Sequence, residues 1–405
     1  MQKAIPRSAV LSWAMYDLAN TIFSMNIVSF YFSVWVVNKM GGTDADYSFA
    51  NAFSMGLMFF SAPILGALSD QISRRMPFLI FTTLTCVFFT ALLGIGGLFL
   101  SIVFFIIANY MFQAGLIFYD SLLPVVSTEE NRGRVGGLGI GLGYVGSFIG
   151  MGSGLLLLDK IGYVGVFRMT ALLFFVFALP CFIFVREPVS DRGQRIDFGA
   201  MVRGAFQQVF KTIRHAREFP GLLRFLVGRL FYTDPVNTII VFMGIYVINE
   251  VGFTENEAQI LMLVAIAAAV AGGFLWGSIV DRFQPARSLL WVLISWKIAI
   301  LGAFFIAVLD LSKVLFWPVA CLAGISLGGT WAADRPLMLK LAPKEYLGEF
   351  YGLYSMVGRF ASVVGPLLWG LIVNTLGWGR PAAVFSLFLL LVIAYIILKP
   401  LKENP

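Results

Sequence analysis

Two hexapeptides in this chain nearly repeat each other: DLANTI, Asp17 to Ile22, and DPVNTI, Asp234 to Ile239. Each sets a carboxyl group and a carboxamide three residues apart, on one face of a helix, inside a long apolar run. A carboxylate there can exchange a proton, bind a cationic group on a ligand, or lock to a basic side chain. Other charges share this setting: Asp120, Arg229, Lys297, Asp334, Arg335 and Arg359 all fall within apolar runs. Asp17, Asn20, Thr21 and Ser24 share one face of the first run. Asn109, Gln113 and Asp120 share one face of the fourth, and Tyr351, Ser355, Arg359 and Ser362 one face of the eleventh. Charges at bilayer depth are costly and face a cavity or a partner. Lys297 and Arg359, closer to mid-run, are candidate anion anchors. For the carboxylates two readings stand open, substrate or proton work and structural or gating pairing.

The elements that must hold these residues are membrane spans. The 405 residues are 59% hydrophobic and 13% charged, with mean hydropathy +0.87, whereas soluble domains carry roughly 25% charge. About 12 runs have the length of spanning helices, about 20 residues each. They do not alternate as the strands of an outer-membrane barrel do. No cleavable signal is expected, since the first apolar run, about Ala9 to Val37, is long enough to stay in the membrane. The formal charge of +7 suggests no nucleic-acid partner once it is mapped. With both termini cytoplasmic, about 20 Lys and Arg fall on the inner side and about five outside (Lys39, Lys160, Arg168, Lys313, Arg380), the positive-inside pattern. Cys86, Cys181 and Cys321 each lie in an apolar run and read as small core residues. The single histidine, His215, is in a basic loop, so no histidine metal site is expected. Without a nucleophile–base set, metal cluster or nucleotide-binding motif, an enzyme is not expected, no cofactor is implied, and ATP is not the direct energy source.

The landmarks repeat in order. Asp17 and Asp234 are 217 positions apart, Asp70 and Asp281 are 211, Asp120 and Asp334 are 214, and Gly133/Gly137 and Gly348/Gly352 are 215. One internal duplication of about six helices explains all four, with boundaries at 1–185, a linker 186–219, and 220–405. Parallel repeats of this kind build many secondary transporters, with the substrate site at the repeat interface. The linker predicts an amphipathic helix. Phe198, Met201, Val202, Ala205, Phe206, Val209, Phe210 and Ile213 form one stripe, Arg203, Gln207, Lys211 and Arg214 face away, and Asp197 can cap the start. Such a helix would lie at the cytoplasmic membrane surface, as a tether or as a lipid-sensing element.

Two further motifs concern movement. GALSDQISRR, Gly66 to Arg75, closes the second span, and GSIVDRFQPAR, Gly277 to Arg287, is its second copy. Gly66 and Gly277 would let helices approach closely. Asp70 and Asp281 would pair with basic residues (Arg74, Arg75, Arg134, Arg282) or with a helix N-terminus, contacts that can form in one conformation and break in another. The run GGLGIGLGYVGSFIGMGSG, Gly136 to Gly154, places Gly139/Gly143 and Gly146/Gly150/Gly154 on four-residue spacing, a smooth face for close packing. Its counterpart carries Gly365-Pro366 and Gly370.

GALSDQISRR resembles the signature loop of the major facilitator superfamily. WAMYDLANTIFS, FYDSLLP, NRGRVGGLGIGLGYVG and GEFYGLYSMVGRFASVVGPLLWG resemble the vacuole-effluxer-like, or unknown-major-facilitator, family across both halves. The first-span motif of that family resembles YDWANSAF, carried here by Tyr16, Asp17, Ala19 and Asn20. Its fourth-span motif reads YNALLP, where Asp120 replaces the Asn, and Arg359 stands where Lys is common. The resemblance implies a 12-helix all-α bundle in two six-helix halves, a central cavity lined by the first, fourth, seventh and tenth spans, and alternating access. It implies a monomer, the superfamily default, in contact with membrane lipids and a small-molecule substrate. Short loops suggest a bacterial inner membrane. The leading expectation is secondary export of a small polar or zwitterionic solute such as an amino acid, driven by a proton gradient. Asp17, Asn20, Thr21, Asn109, Gln113, Asp120, Asp234, Asn237, Lys297, Asp334 and Arg359 are its cavity candidates. Efflux of amphipathic molecules, lysolipids or drugs, is the alternative, and a non-transporting sensor or scaffold the third reading.

Overall fold

The computed structural model describes residues 6–71, 74–128, 131–187, 198–343 and 346–401, and every regular element among them is helical. In lipid a backbone must satisfy its own hydrogen bonds, and a helix does so within one segment. Helix α1 (Arg7–Phe23) passes through a π-helical stretch, Ser24–Phe30, into α2 (Tyr31–Asn38). Then come α3 (Asp44–Gln71), α4 (Met76–Ala91), α5 (Gly97–Asp120), the single turn α6 (Leu123–Val126) and α7 (Arg132–Phe184). Helix α8 (Phe198–Ala216) leads to α9 (Pro220–Asn249), α10 (Glu255–Phe283), α11 (Pro285–Val308), α12 (Phe316–Leu341), α13 (Leu347–Gly370) and α14 (Gly379–Leu398).

Ten of these helical segments are long and apolar enough to cross a membrane. One of them, α7, holds two passes, because Gly162 breaks its helix at φ 64°, ψ 177°, a backbone state that glycine reaches without steric cost. The 16-residue apolar helix α4 completes the 12 passes of the expected bundle. Helix α10 starts on a reciprocal cap: Thr254 Oγ1 accepts from the Glu257 N–H, and the Glu257 carboxylate accepts from the Thr254 N–H at 2.9 Å.

The chain forms two compact units. One comprises residues 1–42 and 53–207, the other 43–52 and 208–405. The start of α3 thus belongs with the second unit, a departure from the 1–185 boundary. Its cause is Asp44, whose carboxylate is held by Arg380 (2.6 Å) and by the Trp369 indole N–H (3.0 Å), while the Ala45 N–H donates to Asn374 Oδ1 (2.8 Å).

The linker helix α8 is present, though Asp197 and the rest of 188–197 lie outside the described residues. Its protein-facing side buries Thr212 and Ala216, and His215 packs edge-on against Tyr346 at 4.5 Å and beside Phe350 and Phe219. Phe210 departs from the expected apolar stripe. It is 72% exposed, on the same side as Arg203, Arg214 and Arg217.

Glycine decides which helices approach most closely, but not at the glycines of the two loop motifs. A Cβ added to Gly66 or Gly277 would meet no described atom within 4 Å. The tight contacts lie elsewhere. In the first unit a Cβ on Gly146 would overlap the Leu18 backbone, bringing α7 against α1. In the second, Gly324 and Gly328 press on the Ala265 and Ala269 carbonyls, and Gly272 presses on the Ile325 backbone, joining α12 to α10. Because backbone does not yield as a flexible side chain does, Gly328→Val should lower stability by about 1–3 kcal/mol. Gly277→Val, in open space, should change it by less than about 0.5 kcal/mol. Thermal unfolding of the two variants in detergent checks the difference.

Candidate functional site

In the first unit the polar face of α1 lies against the glycines of α7. A Cβ on Gly139 would fall 2.9 Å from Asp17 Oδ2, one on Gly143 3.1 Å from Thr21 Oγ1, and one on Gly150 2.9 Å from Asn26 Oδ1. The four-residue glycine spacing is therefore a groove that receives side-chain oxygens as well as backbone. Thr21 Oγ1 donates back to the Asp17 carbonyl at 2.9 Å. Asn20 is 4% exposed, and neither atom of its carboxamide has a hydrogen-bond partner among the described residues. Behind this face Tyr119 stacks on Trp13 and on Tyr16 at 4.7 and 4.9 Å. Tyr16 Oη and Thr83 Oγ1 are 2.6 Å apart. Asn109 is buried and donates to Ser54 Oγ at 2.7 Å, tying α5 to α3. Gln113 is half-buried on the same helix, and Asp120 is exposed at its end.

The second unit holds a buried ion pair. Asp334 on α12 is 0% exposed. Its Oδ1 accepts from Tyr232 Oη at 2.5 Å, and its Oδ2 from Tyr354 Oη at 2.7 Å and Arg229 Nε at 3.2 Å. The Arg229 guanidinium lies 3.7 Å over the Tyr354 ring and also donates to the Tyr354 carbonyl at 3.2 Å. A Cβ on Gly358 would fall 2.6 Å from its Nη1, so this glycine makes room for the cation. The cluster joins α9, α12 and α13 within one unit and satisfies the pair with several hydrogen bonds, as burial requires. Asp334 is accordingly a helix lock in this structure rather than a cavity carboxylate.

Asp234, five residues from Arg229 on α9, has a different neighbour. Its Oδ1 accepts the Gly365 backbone N–H at 2.5 Å. Asn237 Nδ2 donates to Ser362 Oγ at 2.7 Å, a second tie from α9 to α13. Arg359 is half-buried on α13. Lys297 is not gathered with this group. It lies on α11, 3.8 Å from the centre of the Tyr395 ring on α14.

In the loop motif, Arg75 bonds to Glu187 and to the Ser69 carbonyl (Nε to O, 3.1 Å). The Glu187 carboxylate also accepts the backbone N–H groups of Arg75 and Met76 at 2.6 and 2.8 Å, an acidic cap on the start of α4. Glu187 was not legible as a partner, since it lies 112 positions away. Arg74, Asp281 and Arg282 are exposed, and the side chains of Asp70 and Arg134 lie outside the described residues. Sequence reasoning also missed the Asp44 cluster. Asp44 is 2% exposed, and Arg380 grips both its oxygens while giving Nη1 to Glu250 at 2.8 Å. No local pattern flags a pair 336 positions apart.

The family model described as vacuole effluxer Atg22 like matches residues 36–404. The chain belongs to this family. Among its relatives, an uncharacterized MFS-type transporter of Bacillus subtilis, YxiO, is 29% identical, over 97% of this chain and 94% of that protein. Autophagy-related protein 22-1 of Penicillium rubens is 25% identical over 64% of this chain and 47% of its own length, so the chain matches about half of that relative. Two solved structures share the fold. A bacterial homologue of the human lysosomal transporter Spinster superposes with TM-score 0.70 at 14% identity, covering 96% of this chain and 95% of that one. The nucleoside transporter NupG does so with TM-score 0.75 at 11% identity, covering 98% and 100%. The fold is that of the major facilitator superfamily, and the protein is a membrane transporter of that type, not an enzyme.

The Asp334 lock carries a stability prediction. Asp334→Ala strands Arg229 in a buried site and should cost about 3–5 kcal/mol. Tyr354→Phe, which removes one hydrogen bond to a charged acceptor, should cost about 1.5–3 kcal/mol. A double-mutant cycle of Arg229→Met with Asp334→Leu, read by thermal unfolding, should show strong coupling; additive losses would mean the two side chains act independently.

Proposed function

We propose that this transporter exports a small zwitterionic solute, an amino acid first, using a proton gradient. The reading places it in a bacterial inner membrane with both termini cytoplasmic, as the distribution of Lys and Arg favours. The observation that carries the reading is the placement of Asp17 and Asp234. These two carboxylates occupy equivalent positions in the sequence repeat, and each lies against a glycine of a neighbouring helix, Gly139 and Gly365, although those two glycines are not repeat counterparts. Asp334 is held by Arg229 and two tyrosines.

A zwitterion needs both signs of charge. Asp17 supplies the acidic side, and Arg359 on α13, one helical face with Ser355 and Ser362, supplies the basic side. Neutral donors and acceptors accompany each acid, Asn20 and Thr21 on α1 and Asn237 on α9. The word effluxer in the family description supports export as the direction. A proton taken up by Asp17 would neutralise it during the passage that returns the site through the membrane.

Ligand-dependent thermal unfolding of the purified protein tests the substrate class, with a panel of amino acids, short peptides, organic cations and lysolipids. A bound amino acid at 100 times its Kd should add about 2.7 kcal/mol of stability, and both Asp17→Asn and Arg359→Ala should abolish the effect. In proteoliposomes Asp17→Asn should lose most proton-driven transport while its unfolding midpoint stays near that of the wild type. Stabilisation by lysolipids alone, indifferent to both substitutions, would reject the zwitterion in favour of an amphipathic substrate.

A further inference from the structure

Thr238 makes a contrast with its counterpart in the first repeat. Thr21 turns its hydroxyl back onto the Asp17 carbonyl at 2.9 Å, the usual resort of a helical threonine. Thr238, 217 positions on, stands in the same relation to Asp234, yet its Oγ1 has no hydrogen-bond partner among the described residues. Thr238 is 0% exposed and Asp234 3%. Asp234 Oδ2 is likewise without a partner there.

These oxygens converge. A Cβ on Gly365 would lie 2.8 Å from each Asp234 oxygen and would overlap Thr238 Oγ1, so all three oxygens gather against this glycine. Gly365 directs its N–H at Asp234 Oδ1. The next residue, Pro366, has no N–H to give the Ser362 carbonyl one turn back. The Ser362 carbonyl therefore lacks its usual helical donor. Of the other buried carboxylates described in this unit, Asp334 is paired with Arg229 and Asp44 with Arg380. Asp234 makes no such pair among the described residues.

We propose that Asp234 Oδ2, Thr238 Oγ1 and the Ser362 carbonyl bind a sodium ion between α9 and α13. Carboxylate, hydroxyl and carbonyl oxygens suit a hard cation, and backbone carbonyls freed by irregular helix are used for sodium in transporters of other folds. One carboxylate matches one positive charge, which favours a monovalent over a divalent ion. A buried carboxylate without a counter-charge is strongly unfavourable, and the ion supplies it while fastening the two helices. The use of the ion rests on the transport reading: sodium would be a coupling ion at Asp234, with the proton left to Asp17.

The test needs no solute. Protein purified in choline chloride is titrated with NaCl at constant ionic strength, reading the unfolding midpoint and retention of radioactive sodium. The wild type should show a saturable rise and hold one ion per chain. Thr238→Val, close in size, should weaken the response at least about tenfold, the loss of one oxygen on a charged group, and Asp234→Asn should abolish it. Asp159→Asn, at an exposed position of α7, should respond as the wild type does. Equal midpoints in sodium and choline, or a response that survives both α9 substitutions, would overturn the site. So would a midpoint that follows pH but ignores sodium, which would return Asp234 to proton exchange. If Asp234→Asn does not fold, Thr238→Val and wild-type retention decide. A protein that holds sodium but exports no amino acid keeps this site and loses the proposed function.

Discussion

A carboxylate taken out of water must be met by a cation, a set of donors or a proton, and the second unit is arranged around that requirement. Asp334 is met by Arg229 and two tyrosine hydroxyls from three helices. Asp44 is met by Nε and Nη2 of Arg380 and by an indole N–H. Each solution fixes where helices lie. The first holds α12 and α13 to α9, and the second draws the opening turns of α3 into a unit to which its remaining residues do not belong.

Glycine is the complement to these polar groups. Gly143 and Gly358 are 215 positions apart, as are Gly150 and Gly365, and both pairs do the same geometrical job. They leave room on one helix for a polar side chain of the neighbour: Thr21 and Asn26 in the first unit, Arg229 and Asp234 in the second. Where no polar group needs room, glycine admits backbone instead, as Gly324 and Gly328 do for α10. The duplication thus conserves a groove and varies its contents. Asp17, Thr21 and Asn26 fill it in the first unit, the Arg229 guanidinium and the Asp234 carboxylate in the second.

For a transporter, that asymmetry divides the labour of the charges. Those already satisfied inside one unit add rigidity, since removing either partner leaves the other stranded. Asp17, beside Gly139, and Asp234, beside Gly365, hold equivalent positions in the sequence repeat but face different stretches of the neighbouring helices. Family membership sets this within solute transport across a membrane, and the zwitterion reading gives each sign of charge a use.

The all-helical membrane fold, the 12 passes and the duplication followed from the sequence alone, because apolar length and ordered landmarks such as Asp17/Asp234 are properties of the chain read locally. The four-residue glycine series from Gly139 to Gly154 was legible as a packing face for the same reason: helical periodicity fixes which residues share a side. What each charge faces was not legible. Asp120, Asp234 and Asp334 look alike as acids in apolar runs, yet one is exposed, one abuts Gly365 and one is locked to Arg229. Gly66 and Gly277 carry the strongest motif and touch nothing described, whereas Glu187, Arg380 and Asp44 carry no motif and make ion pairs. Local pattern determined the helices and their polar faces. Only the tertiary structure decided the partners, because an ion pair depends on which helices meet, and residues 105 or 336 positions apart meet through packing that no spacing encodes.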